Sequence, residues 1–399
     1  LIMKKRIKTD GIGDLATDKN GNVYGISGKG IAKVNIGSGT LKKLALKNLP
    51  QDFEPIGLAV DNGGNIVTFD KGSDMQIKVF NPNTGELVRT AGKKGGRSLT
   101  GKWDKDGLIY KVTSVAVDSR NRIWAVENTD TPRRVSVWDE DGTCEKEYIG
   151  GTYYSSSGAA LHAQDPDVAY FGPVEMKLDR ENQTYEVTAV IGHTQDEENY
   201  QEEKNGIKNQ FFRPIIQTGN YGVASRHFRS DASGKMREYI FQGPTYCNVD
   251  PSILFMQRDD GLFHPVFGIG LAGQFGLSKY SVGKALSNEN IINENSFVMW
   301  NDTNKDGMVQ REEVTALNDG VTNVFAPDNG WTHDITDKLE LIRGWNLWKP
   351  AYFEEDGTPV YTTYSVTPCK SKTGVLFGGN QCFYYDNEKL FVPDIESGT

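Results

Sequence analysis

Three segments in the first part of the chain repeat one hairpin pattern, and this repetition constrains the fold more than any other feature. Each copy has a short apolar strand, an Asp, a tight turn of Gly, Asn or Ser, and a second strand. The copies occupy residues 15–24, 58–67 and 115–124. Alternation of apolar residues around such turns is typical of antiparallel β-hairpins.

A further strand, turn and strand follow the second and third hairpins. Residues 77–80 lead through a turn at 81–85 into a strand at 86–89, and residues 135–138 begin the same order again. Four strands in about 45 residues are the sequence signature of a β-propeller blade. A single four-stranded sheet cannot bury both of its faces, so the pattern predicts several stacked copies.

The apolar-Ala-Val-Asp turns at 58–61 and 115–118, and the closing stretch at 87–96, resemble NHL-repeat propeller proteins. The match covers roughly residues 12–150, and the later features are similar in order to large bacterial secreted or surface NHL-like proteins. This resemblance implies an all-β propeller of four-stranded blades. We expect six to eight blades, and about seven is the favoured number.

Alternating segments that predict strands continue beyond the clear repeats. They lie at 169–171, 174–178, 185–191, 222–225, 238–241, 252–256 and 265–267. We therefore predict a single propeller domain over residues 1–399, with an insertion at 271–330.

The sharpest motif is a twelve-residue segment inside that insertion, residues 302–313, which matches the EF-hand loop pattern. Gly307 stands where this loop turns sharply, and Val309 supplies an apolar anchor. The oxygen ligands favour Ca²⁺ over Mg²⁺ because Ca²⁺ accepts more ligands at a more flexible geometry. The alternative is a polar turn that binds no metal. The predicted ligands are Asp302, Asn304, Asp306, the backbone carbonyl of Met308, Gln310 and Glu313.

The residues on either side of the loop differ from those of a paired EF-hand. Residues 297–300 predict a strand before the loop, and residues 311–317 predict a short helix after it. The sequence contains no second loop of this pattern. We therefore expect a structural calcium clip and not a sensor that opens a groove.

Charge and hydropathy exclude two classes of partner. The chain has 44 Lys and Arg against 53 Asp and Glu, a net charge of −9. Duplex binding needs clustered cations, so no nucleic-acid partner is expected. No apolar run approaches the ~20 residues of a membrane helix, so no membrane span is expected.

Four cysteines are too few for a disulfide-dense scaffold. Cys369 and Cys382 could link a hairpin, and buried thiols are the alternative.

No catalytic signature is present. The P-loop, His-Glu-x-x-His and Gly-x-Ser-x-Gly patterns are absent, and the GxGxxG match at 268–273 lacks a βαβ context, so no catalytic residue and no nucleotide cofactor is assigned. The five histidines show no i, i+4 pair, and each is interpreted as a surface or hydrogen-bonded polar residue. A propeller that brings one beside Tyr or Arg could use it as a base in polysaccharide β-elimination. The histidines are His162, His193, His227, His264 and His333.

An aromatic-dense stretch follows the calcium loop, and it has two interpretations. It is either a sugar-stacking platform or core between blades. Its members are Trp331, Trp345, Trp348, Tyr352 and Phe353.

These observations predict a secreted or cell-surface, calcium-stabilised propeller that acts as a binding or scaffold module for carbohydrate or protein. Millimolar Ca²⁺ outside cells suits a single loop, which favours an extracellular, surface or periplasmic location. The alternative is a propeller enzyme, either a polysaccharide lyase or hydrolase or a gluconolactonase-like lactonase.

Overall fold

A computed structural model describes most of the chain and groups it into two compact units. The first unit contains residues 11–99 and 103–150, and the second contains residues 100–102 and the described residues from 159 onward. The described residues are 9, 11–129, 132–150, 159–162, 164–192, 221–244, 251–272, 297–317, 333–343, 346–362, 366–368, 384–386 and 389–391.

The first unit consists of three antiparallel four-stranded sheets, each with its strands in sequence order. The first sheet has β1 (Leu15–Thr17), β2 (Val23–Ser27), β3 (Gly30–Val34) and β4 (Leu41–Lys43). The second has β5 (Pro55–Val60), β6 (Ile66–Asp70), β7 (Ile77–Phe80) and β8 (Leu87–Ala91). After β9 (Gly101–Lys102), which belongs to the second unit, the third has β10 (Val112–Val117), β11 (Ile123–Glu127), β12 (Arg133–Trp138) and β13 (Cys144–Gly150).

The repeated hairpins of these three sheets share one register. The repeat alanine faces the same hairpin position in each copy, because Ala16, Ala59 and Ala116 pair with Tyr24, Val67 and Trp124. The aspartate two residues later accepts a hydrogen bond from the backbone N–H four residues further on, at 2.8, 2.7 and 3.0 Å in the three copies. The Asp of the sequence repeat thus closes each turn.

The second unit begins with a five-stranded sheet, in which β9 pairs with the last strand. The other four strands are β14 (Ala159–Leu161), β15 (Val168–Phe171), β16 (Val174–Asp179) and β17 (Thr184–Val190). A six-stranded sheet follows, with β18 (Tyr221–Ser230), β19 (Met236–Pro244), β20 (Ser252–Gln257), β21 (Phe263–Leu271), β22 (Phe297–Asn301) and β23 (Val314–Ala316).

The rest of the second unit has shorter strands. A four-stranded sheet contains β24 (His333–Ile335), β25 (Leu341–Arg343), β26 (Asn346–Trp348) and β29 (Val366–Pro368). Two-stranded ladders join β27 (Tyr352–Phe353) to β28 (Pro359–Val360) and β30 (Tyr384–Asp386) to β31 (Lys389–Phe391).

The fold class is all-β, with four-stranded antiparallel sheets of the β-propeller blade type, which confirms the prediction from the repeats. The described residues contain no α-helix. None of their helical segments has the length and apolar character that crossing a membrane demands. The number of blades and the insertion at 271–330 remain predictions.

The helix predicted after the loop is wrong. A 3-10 turn covers only Arg311–Glu313, and β23 follows at once. Val314 pairs with Trp300 and is buried, so the β-branched residues of this segment extend the sheet. Residues 302–313 therefore connect two neighbouring strands, β22 and β23.

The two faces of the β18–β19 hairpin pack into two different parts of the buried core of the second unit. Ala224 belongs to one cluster of buried residues with Ile240, which is on the same face of the sheet. Tyr239 and Phe241, on the opposite face of β19, belong to another cluster. The two-residue period of the strand sends successive side chains to these different surroundings.

Candidate functional site

A cavity of about 460 Å³ lies in the second unit, between the sheet of β14–β17 and strand β18. Polar and charged side chains dominate its lining, and Phe228 is the aromatic member of the lining, with 38% of its surface exposed. The polar lining residues are Lys102, His162, Asp165, Glu175, Thr188 and Arg226.

Arg226 is the centre of a charged network in this cavity. Its Nε donates to Glu175 Oε2 at 2.9 Å, and its Nη1 donates to Glu238 Oε1. Glu175 Oε1 also accepts a 3.0 Å hydrogen bond from the Thr188 hydroxyl. Burial raises the pKa of Glu238, while Arg226 opposes that shift. The guanidinium is thus neutralised by two carboxylates of the protein itself.

His162 is held in one orientation beside this network. Its Nδ1 accepts hydrogen bonds from the backbone N–H groups of Gln164 and Asp165, both at 3.1 Å. Because Nδ1 is an acceptor, the neutral ring carries its proton on Nε2. The imidazole centroid lies 6.1 Å from the Phe228 ring and 6.4 Å from the Tyr170 ring. The cavity therefore has aromatic surface next to donors and acceptors.

The electrostatics of the cavity do not favour an anionic ligand. Lys102 and Arg226 are the cations of this group, and Asp165, Glu175 and Glu238 are its carboxylates. The carboxylates of this group therefore outnumber its Lys and Arg side chains. A polyanion would therefore meet no net positive field here.

The loop at 302–313 has a closed backbone conformation that side chains stabilise. Gly307 has a φ of +71°, as the sharp turn requires, and its N–H donates to Asp302 Oδ1 at 3.1 Å. The N–H of Asp306 donates to Asn304 Oδ1 at 3.0 Å, and the N–H of Met308 donates to Asp306 Oδ1 at 2.7 Å. Side-chain oxygens of the first three predicted ligands thus organise the loop.

Two predicted ligands are buried acids. Asp302 is 2% exposed and Glu313 is 5% exposed. Burial raises the pKa of Asp302 to about 6. Arg258 donates to Asp302 Oδ2 at 2.9 Å, and Glu313 Oε1 accepts from the N–H groups of Thr303 and Asn304 at 2.9 and 3.1 Å. Protein donors therefore hold both carboxylates.

The side chain of Gln310 has a buried oxygen that a metal ion could coordinate. Its Nε2 donates to Asp306 Oδ2 at 2.6 Å, but its Oε1 is buried and has no hydrogen-bond partner in the described part of the chain. Gln310 is the predicted ninth-position ligand, so an oxygen at that position lacks a partner. Within the same part, no three His, Cys, Asp or Glu side chains are grouped as ligands of one ion.

The histidines do not form one cluster in the described residues. His264 hydrogen-bonds Asp260 at 2.7 Å, whereas His227 contacts Ser225 at 2.8 Å. His193 and the side chain of His333 lie outside the described residues.

The aromatic stretch divides between the two interpretations. Trp348 is fully buried and is core, while Tyr352 is 56% exposed. The guanidinium carbon of Arg229 lies 3.7 Å from the centroid of the Phe353 ring. Trp331 and Trp345 are outside the described residues, as are Cys247, Cys369 and Cys382, whereas Cys144 is a buried thiol.

Sequence reasoning missed Glu175 and Glu238, the carboxylates on either side of Arg226. Glu175 lies 51 residues before Arg226 in the chain, so no local pattern connects them. Glu238 was visible within a predicted strand, opposite Phe228 in the β18–β19 hairpin. The available signal was a carboxylate in a segment, residues 238–241, whose other three residues are large and apolar.

No family model matches this chain, and no curated protein matches it. Solved structures with distant similarity include virginiamycin B lyase from Staphylococcus aureus, with 13% identity, a TM-score of 0.26, and coverage of 64% of this chain and 69% of the lyase. A protein of unknown function from Bacteroides caccae has the same identity and TM-score, with coverage of 63% and 79%. A gluconolactonase from Xanthomonas campestris also has 13% identity and a TM-score of 0.26, with coverage of 65% and 76%.

Proposed function

We propose that the protein is a calcium-stabilised β-propeller module that binds neutral carbohydrate in the cavity beside Arg226. The observation that carries this proposal is the combination of the partly exposed Phe228 ring with a fixed network of donors and acceptors around Arg226. Concave sites of this kind use apolar surface for affinity and a few fixed polar groups for orientation.

Several polar atoms of the cavity suit hydroxyl groups. Glu175 accepts hydrogen bonds, the Thr188 hydroxyl both donates and accepts, and His162 Nε2 donates. The Phe228 ring supplies an apolar face against which the C–H groups of a sugar ring can pack. These groups match a polyhydroxylated ligand without formal charge.

The charges argue against acidic polysaccharide and against β-elimination as the activity of this cavity. A lyase needs a cation that neutralises the substrate carboxylate, and of the two cations in this cavity Arg226 is already paired with Glu175 and Glu238, which leaves Lys102. Displacing either carboxylate would leave a desolvated charge without its partner, which is costly. Neutral saccharide is therefore the ligand class that we propose.

The calcium loop is the second part of the proposal. Asp302, Asn304, Asp306, Gln310 and Glu313, with the carbonyl of Met308, would hold the ion. Bound Ca²⁺ would supply positive charge to buried carboxylates and stabilise the folded form. Support comes from Gln310 Oε1, which has no hydrogen-bond partner among the described residues, and from the burial of Asp302 and Glu313. A calcium-dependent module fits an extracellular, surface or periplasmic location.

A glycan array with neutral and acidic oligosaccharides, followed by calorimetric titration, tests the carbohydrate proposal. We expect binding to neutral glycans, and we expect Phe228→Ala and Thr188→Val to weaken it about tenfold or more, a loss of about 1.4 kcal/mol. Tyr352→Ala is the matched control, since Tyr352 is an exposed aromatic of the same unit outside the cavity lining.

Two results would contradict the proposal. Binding restricted to polyuronates would exclude a neutral ligand. Loss of binding in Tyr352→Ala, with normal binding in Phe228→Ala, would move the site to the aromatic stretch.

A further inference from the structure

Strand β18 also carries a serine and a histidine on the face opposite to Arg226 and Phe228, and an aspartate approaches them from another segment. Ser225 Oγ lies 2.8 Å from His227 Nε2, and His227 Nδ1 lies 3.4 Å from Asp337 Oδ1. We infer that Ser225, His227 and Asp337 act as nucleophile, base and orienting carboxylate in the cleavage of carboxylic esters. This inference does not depend on saccharide binding in the cavity.

The proton positions agree with this assignment. A carboxylate only accepts hydrogen bonds, so contact with Asp337 requires the proton of the neutral His227 ring on Nδ1. Nε2 is then an acceptor, and the Ser225 hydroxyl donates to it. The hydrogen bond with His227 also lowers the pKa of Asp337, which favours its charged form. A serine activated by a base that a third group orients is the arrangement of serine nucleophiles.

The 3.4 Å separation between His227 and Asp337 is compatible with this role. Catalytic hydrogen bonds are often long without substrate and shorten when substrate binds. Of the three side chains, Asp337 is the one that solvent reaches, with 42% of its side chain exposed. Ser225 and His227 are 7% and 6% exposed. Exclusion of water from Ser225 and His227 strengthens the electrostatic interactions between them.

The surroundings of Ser225 define the size of the acyl group. Phe241 lies directly opposite Ser225 on β19, and Tyr239 lies opposite His227. Both aromatics are buried in the core of the unit. We therefore expect only a short acyl group, such as acetyl, to reach Ser225.

The reaction has two balanced steps. Ser225 Oγ forms a bond to the acyl carbon while its proton moves to His227 Nε2, and the ester C–O bond breaks as that proton passes to the leaving alcohol. Water then adds to the acyl-serine with His227 again as base. This second step releases the carboxylic acid and restores the Ser225 hydroxyl.

A fluorophosphonate probe and p-nitrophenyl acetate test this inference on the full chain. We expect the probe to label Ser225, located by mass spectrometry of the digested protein, and we expect slow hydrolysis of the acetate ester. His227→Gln should lower the hydrolysis rate about 100-fold, the usual contribution of a general base. Asp337→Asn should slow both labelling and hydrolysis without abolishing them.

Ser233→Ala is the matched control, because Ser233 lies in the exposed turn between β18 and β19. This variant should keep both activities, whereas Ser225→Ala should lose both. Ser225→Cys covers the case in which the alanine variant does not fold, since its thiol beside His227 should react with iodoacetamide faster than Cys144. An unlabelled Ser225 in folded protein, or equal ester hydrolysis by wild type and Ser225→Ala, would overturn the inference.

Discussion

Arg258 donates a 2.9 Å hydrogen bond to Asp302, the residue predicted as the first calcium ligand. The side chain of Asp302 is fully buried, and the Arg258 side chain is 16% exposed. Arg258 therefore occupies an oxygen that an ion would use. Under the proposed calcium site, a bound ion would compete with this guanidinium for the Asp302 carboxylate.

Removal of this competitor is expected to increase the effect of calcium. Arg258→Gln leaves a buried carboxylate without its ion pair, which should lower the stability of the calcium-free protein by about 3 kcal/mol. Added calcium should then raise the melting temperature of the variant more than that of wild type. Differential scanning calorimetry with EDTA and with calcium measures both changes. An equal calcium-induced rise in the two proteins would contradict the competition.

The last residue of the loop gives a second test of the calcium site. Glu313 is buried, and Glu312 beside it is exposed. Glu313→Gln should abolish calcium binding in calorimetric titration, because one oxygen and the negative charge are lost. The control Glu312→Gln should bind as wild type does. In wild type, calcium at 100 times its Kd should add about 2.7 kcal/mol to the free energy of unfolding. A calcium titration without heat, together with unchanged melting in EDTA, would reject the site.

Stability of the first unit should depend strongly on one buried glutamate. The Glu127 side chain is fully buried and pairs with Arg97 at 3.3 Å and Arg134 at 3.0 Å. Glu127→Gln removes the buried carboxylate that Arg97 and Arg134 share, while Arg134 keeps its ion pair with Glu147, and should cost about 3 kcal/mol. The control is Lys47→Ala, which removes an exposed ion pair with Glu86 and should cost less than about 1 kcal/mol. Urea unfolding monitored by circular dichroism distinguishes these outcomes, and similar costs would show that burial does not matter here.

We expect the folded protein to lose stability in acid because of the turn aspartate Asp118. A hydrogen bond from the Trp124 indole, together with bonds from Arg122, lowers the pKa of Asp118 to about 2. Since the folded pKa is below the unfolded value of about 3.9, the carboxylate stabilises the protein above that value. This contribution disappears as the pH falls toward 2.

Asp118→Asn removes that titration. The free energy of unfolding should therefore fall less steeply between about pH 4 and pH 2 in the variant than in wild type. Urea unfolding at several pH values in this range measures the difference. Parallel curves for the two proteins would show that Asp118 has the same pKa in both states.

The sequence repeat predicted the hairpins well because their determinants are local. An Asp that caps its own turn, with apolar residues alternating on both sides, specifies the register of each copy. A fourth copy was missed at the β18–β19 turn, where the N–H of Lys235 donates to Asp231 Oδ1 at 3.0 Å. The strand before that turn carries Arg226, His227 and Arg229 in place of the apolar-Ala-Val pattern, so the repeat is not recognisable there.

The predicted site was accessible to sequence reasoning only where its residues are neighbours in the chain. The order of the loop ligands follows from twelve consecutive residues, but Arg258 is 44 residues away from Asp302. Asp337 is 110 residues away from His227. Contacts at such separations depend on how strands pack, which composition and spacing do not reveal.

The alternation along β18 has a mechanical consequence. Ser225 and Arg226 are consecutive residues that serve different surroundings, one on each side of the same strand. A ligand that displaces the backbone at Arg226 must also move the hydroxyl of Ser225 relative to His227. A ligand on the Arg226 side that shifts this backbone would therefore also change the contact between Ser225 and His227 on the other side.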